Sequence, residues 1–113
     1  MPPKHNPLNL NPLQLKTLTL LQALAALPDA KPGEAEGSVL LTSLPDPHGD
    51  HFHLGDAVVA ARDATGLRNQ AVWTALERKG LVATQFPQSA TLLAAGRDYH
   101  TGLKDAILHR ATH

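Results

Sequence analysis

Three of the chain's seven histidines fall in one short stretch: His48, His51 and His53. They are interleaved with Asp46, Asp50 and Asp56. Neutral imidazole is the commonest nitrogen ligand for zinc, nickel or copper, and a carboxylate can supply an oxygen partner. If His51-Phe52-His53 is extended, both imidazoles point to one face, because side chains alternate along a strand. The segment is rich in turn residues, so its backbone is free to bring further side chains together. The pattern nominates His48, Asp50, His51 and His53 as a site for a divalent transition metal such as zinc, with His100, His109 or a residue of a dimer mate as a further ligand. It lacks the helical HExxH arrangement, and the chain has no cysteine to supply a thiolate. A structural reading competes with it: Asp50 as a turn residue, Asp56 as a helix N-cap, and the imidazoles bonded to loop backbone. A third reading is pH sensing, since protonating several histidines would swing a neutral chain to positive charge.

Other chemistry finds little support. There is no Gly-rich phosphate loop and no GxSxG. Ser38, Ser43 and Ser89 stand in no nucleophile context. The expectation is a protein without enzymatic activity. Ten basic and ten acidic residues cancel, which excludes a protein cationic on every face. The acidic charge gathers in residues 29–63 and the basic charge in 64–113. An apolar fraction of 42% is enough for a real core and argues against disorder. With 113 residues, the chain is about one domain long. The N-terminus shows no basic region followed by an apolar run, and residues 13–27 are too short and too polar to span a bilayer. A cytoplasmic protein with no membrane contact is expected.

Leu and Ala make up most of the apolar residues, and both favour helix. The first eleven residues hold prolines and asparagines and read as a flexible tail, packing locally through Leu8 and Leu10. Residues 12–113 read as a single domain with a C-terminal helical segment. Asn11-Pro12 opens a helix over 12–27. Its leucines spread too widely for one core face. Residues 28–37 read as a loop and 38–44 as a strand. Asp56 caps a helix over 57–64, and Thr65-Gly66 interrupts it. A second helix over 67–79 stops at Gly80. Strands at 81–86 and 90–93 flank a turn at Pro87-Gln88-Ser89. Helices over 94–101 and 103–110 follow, with a break at Gly102, and a persisting last helix would put His109 and His113 on one face.

The stretch ALERKGLV (75–82), a hairpin, and then LLAAGRDY (92–99) resembles the winged helix-turn-helix domain of MarR-type bacterial transcription regulators. The resemblance implies an α+β fold, mainly helical, with a small β-hairpin wing. It implies binding to duplex DNA. In a helix-turn-helix the outer face of the second helix enters the major groove, and its N-terminal residues read base edges. Here those are Arg68, Asn69 and Gln70, with Trp73 and Thr74 beside them. Arg suits guanine, while Asn and Gln suit adenine. Arg62, Arg78 and Lys79 are placed to touch phosphates. Trp73 has a competing role, sealing the core against the first helix. Regulators of this kind often dimerise through terminal helices, so a homodimer is expected. The alternative function is a winged-helix module that binds protein, because the wing at 85–89 carries no Arg or Lys. Either version could respond to metal or pH through the histidine loop.

Overall fold

The first helix, α1 (Pro12–Ala25), starts where the sequence expects. The Asn11 side chain accepts the Gln14 N–H at 2.8 Å, and Gln14 Oε1 accepts the Asn11 N–H at 3.0 Å. That is a capping box with proline at its first helical position. A computed structural model describes residues 6–28, 30–42, 49–86 and 88–110, the last by its backbone. Leu15, Leu18, Leu20, Leu21 and Leu24 are all buried, and so are Thr17 and Thr19. A helix apolar on so many sides must be central. Both threonine hydroxyls are satisfied locally, Thr17 Oγ1 donating to Leu13 O at 2.8 Å and Thr19 Oγ1 to Leu15 O at 2.7 Å. Thr19 also meets Thr101 Oγ1 at 2.6 Å. The wide leucine spread that suggested a dimer is thus covered within one chain.

Four short strands form the larger sheet: β1 (Lys31–Pro32), β2 (Val39–Leu41), β5 (Val82–Gln85) and β6 (Ser89–Leu92). Every pair is antiparallel, in the order β1-β2-β6-β5. One cross-strand row is Val39, Leu92 and Val82; the next is Leu41, Ala90 and Thr84. Leu41, Ala90, Leu92 and Val82 join the core. Ser38 and Thr42, expected in the same strand, flank β2 without joining it; residues 43–44 of that expected strand, and Pro87 in the wing turn, fall outside the described residues.

The helix expected over 57–64 is not there. Ala57–Ala60 is a strand, β4, paired antiparallel with β3 (His51–Leu54). The turn between them is Gly55-Asp56, with Gly55 at φ +59°. Glycine first in a two-residue loop is a hairpin turn that matches strand twist. Asp56 is therefore a turn residue rather than a helix cap. Alternation in HFHL and AVVA buries Phe52, Leu54 and Val59 on one side. A tighter stretch follows, two 3-10 turns at Ala61–Asp63 and Thr65–Arg68. The second main helix, α2 (Gln70–Arg78), starts later than expected because Asn69 caps it, accepting the Ala71 N–H at 3.0 Å. Gly80, at φ +76°, follows its end as expected.

The C-terminal helices are also shorter than expected. They are α3 (Ala94–Asp98) and α4 (Lys104–Ile107), and His109–Arg110 forms β7 against β4. His109 is thus in a strand, and His113 lies outside the described residues. The architecture is an α+β fold with two antiparallel sheets, less helical than the Leu/Ala composition implies. Residues 6–10 are packed rather than loose. Leu10 is buried, Leu10 N–H donates to Asn6 Oδ1 at 2.9 Å, and the Leu8 N–H donates to the Tyr99 hydroxyl at 3.2 Å. Residues 1–5 lie outside the described part. Among the described residues no helix is long and apolar enough to cross a membrane.

Candidate functional site

The 3-10 segment and α2 together carry the residues nominated for DNA. Two links hold the segment on α1 and a third ties it to α2. Lys16 Nζ reaches Asp63 Oδ1 at 2.9 Å. Gly66 backs onto Thr17, where a Cβ would meet Oγ1 at 1.8 Å. The Trp73 indole donates to Gly66 O at 3.2 Å. Only glycine permits that approach, so the Thr65-Gly66 break expected from sequence is a docking point.

α2 turns Val72, Trp73 and Leu76 inward. Its outward residues are Gln70, Ala71, Glu77 and Arg78, with Thr74 half-buried. Arg62 and Arg68, in the two 3-10 turns, are exposed. The fold thus brings Arg62, Arg68, Gln70, Thr74 and Arg78 onto one stretch of connected structure. It gives three other nominated residues different work. Trp73 is 1% exposed and stands edge-on to Phe86, ring centroids 4.8 Å apart, so it offers no contact surface. Asn69 spends its side-chain oxygen on the helix cap. The Lys79 ammonium donates to Leu8 O, which ties the end of α2 to the N-terminal segment. Glu77 likewise accepts the Thr84 N–H at 3.1 Å and fastens α2 to β5.

The histidine pair lies on the second sheet. His51 and His53 are exposed on the side of β3 opposite Phe52 and Leu54. The expectation that an extended His51-Phe52-His53 shares one face therefore holds for the backbone. Their rings stand 5.6 Å apart between centroids at 75°. Asp50 Oδ1 lies 2.9 Å from His51 Nδ1. The hydrogen bond from the His51 side chain, aided by one from backbone and by the imidazolium charge, holds the Asp50 carboxyl below its ordinary value. His53 pairs with Val58, and Val58 pairs with His109. His53 and His109 therefore occupy one cross-strand row on the same face. The sequence offers His109 as a further ligand but on a last helix; its place in the row with His53 depends on β7 joining β4. His48 lies outside the described residues, and His100 follows α3 rather than joining this sheet. Among the described residues, no three His, Asp or Glu groups converge as a ready metal cage.

A groove of about 830 Å³ opens on the larger sheet, lined by Pro32, Leu40, Ala83, Thr91 and Leu93 among others. Among its described lining residues, Glu34 alone is ionisable. Comparison with protein-family models, with curated proteins and with solved structures finds no match for this chain.

Proposed function

We propose that the chain is a winged-helix module that binds duplex DNA through α2 and the two 3-10 turns before it. One observation carries this reading: α2 runs directly into the β5–β6 hairpin, and β2, from between α1 and α2, pairs with β6 beside it. A wing needs that anchoring, a hairpin held beside the helix by a third strand. The 3-10 turns stand where the first helix of a helix-turn-helix would be. Arg62, Arg68 and Arg78 contact phosphates, and Gln70 and Thr74 face base edges. Asn69, Trp73 and Lys79 support the fold instead.

Fluorescence anisotropy of labelled duplexes at low salt tests this. Three arginine–phosphate contacts give a log–log salt slope of about −3. Replacing Arg62, Arg68 and Arg78 together by Ala removes binding, and Gln70→Ala flattens any sequence preference. A randomised duplex pool that fails to bind at low salt overturns the DNA reading. One observation favours the second reading, a protein-binding module: Gln85, Phe86, Gln88 and Ser89, the described residues at the hairpin tip, include no cation.

A further inference from the structure

The histidine face of β3 is left unused by the DNA-binding reading, and its geometry can be set against what a metal requires. A ring nitrogen binds zinc at about 2.0–2.1 Å, and the ring centroid lies about 1.1 Å behind it. Two imidazoles on one tetrahedral ion therefore hold their centroids about 5.2 Å apart. The His51 and His53 centroids are 5.6 Å apart, a few tenths of an ångström away. The pair sits at i and i+2 on a strand whose pairing with β4 holds the backbone extended. Both side chains are exposed, so the His53 ring can turn to present nitrogen without disturbing the core.

His51 has a further feature of a ligand. Its Nδ1 faces Asp50 Oδ1 at 2.9 Å. With Nδ1 turned to the carboxylate, Nε2 is the ring nitrogen that faces away from Asp50 and is placed to ligate, and the hydrogen bond orients the ring. Asp50 thus takes the place of an orienting group rather than a ligand. The neighbouring Phe52 and Leu54 point into the core, so no apolar side chain from β3 competes for this face. His109 shares the face, but Val58 stands between it and His53 in the row. Two imidazoles with water completing the shell is therefore the set the geometry favours.

We propose that the exposed face of β3 binds one borderline-soft divalent cation, of the zinc, nickel or copper class, through His51 and His53, with Asp50 orienting His51. Imidazole without thiolate or several carboxylates selects this class over magnesium or calcium, which prefer oxygen. The site is independent of DNA binding, since none of its residues lies in α2 or the 3-10 turns.

Isothermal titration of the full chain with zinc, nickel or copper chloride alone tests it, with magnesium chloride as the comparison. One ion binds per chain, and magnesium does not bind. Replacing His51 and His53 together by Ala abolishes that event, and circular dichroism shows the fold intact. Asp50→Asn weakens binding by about tenfold, the usual scale for an orienting partner. His100→Ala leaves it unchanged. As a check that needs no variant, a substoichiometric copper addition broadens the His51 and His53 imidazole resonances before those of other histidines. Absence of binding at about 100 µM metal, where even a weak two-imidazole site should show, overturns the proposal. So does binding that survives the double replacement, or broadening that begins at other histidines.

Discussion

Gly66 rests against Thr17 so closely that a methyl group has no room between them: its Cβ would stand 1.8 Å from Thr17 Oγ1 and 3.1 Å from Thr17 Cβ. The same glycine offers its carbonyl to the Trp73 indole at 3.2 Å. One residue thereby seats the second 3-10 turn on α1 and the large aromatic of α2 on that turn. Its requirement is steric, since the Thr17 hydroxyl is itself held by Leu13 O.

Gly66→Ala is expected to lower stability by about 1–3 kcal/mol, the usual cost of overpacking. Thermal denaturation followed by circular dichroism would show a fall of roughly 5–15 °C. Adding Thr17→Ala removes the obstructing hydroxyl, so the two changes couple by about 1 kcal/mol or more. Simple additivity would argue that the two residues do not meet.

Gly96→Ala sets two effects against each other. Alanine gains about 1 kcal/mol of helix propensity over glycine. Its Cβ, however, would lie 2.3 Å from the Leu81 carbonyl oxygen, a backbone atom that already accepts the Leu93 N–H at 3.0 Å. Backbone cannot swing aside as a side-chain end can, so the steric cost of about 1–3 kcal/mol is expected to win. Urea denaturation should show a lower midpoint; a higher one would mean that α3 has slack to shift.

Trp73 makes the chain its own reporter. Buried beside Phe86, it is expected to emit in the blue and to resist quenching by iodide. Added duplex should leave its spectrum unchanged even where anisotropy reports binding. Trp73→Phe strands the Gly66 carbonyl and should cost about 1–3 kcal/mol, read as a lower melting temperature. Strong iodide quenching in the native protein would place the indole at the surface after all.

Asn69 separates capping from base reading. Asn69→Ala is expected to cost about 1 kcal/mol through the lost N-cap. Asn69→Asp keeps an acceptor for the Ala71 N–H and should hold stability near the starting value. If Ala leaves the melting temperature unmoved but lowers affinity for duplex, the side chain reads DNA rather than capping α2.

Much of this fold is local chemistry and could be read from the chain. Asn11-Pro12 with Gln14 writes its own helix start, because all the partners lie within one turn. Gly80 stops α2, and the alternation around β5 and β6 marks a hairpin. Asp56 carries a local signal shared by two different elements. Leu54-Gly55-Asp56-Ala57 is a hairpin turn, but an acidic residue before Ala-Val-Val-Ala also has the form of a helix cap. The strand wins because alternation in His51–Leu54 and Ala57–Ala60 lets each strand bury one side against the core.

The sequence by itself determined the buried first helix and the α2–hairpin order, since each depends on neighbours a few residues apart, whereas the extended His51-Phe52-His53 was only one option for a turn-rich segment until β4 paired with it. It also marked Arg68, Gln70, Thr74 and Arg78 as polar residues of the second helix, with Arg62 just before it. Only the tertiary structure decided that Asn69, Trp73 and Lys79 are occupied, by the Ala71 N–H, the Gly66 carbonyl and the Leu8 carbonyl. It likewise decided that α1 is covered within one chain, that Gly66 must stay bare against Thr17, and that His109 shares a face with His53. These outcomes rest on contacts between distant segments, where a side chain's partner is chosen by packing geometry that residue type and spacing do not contain.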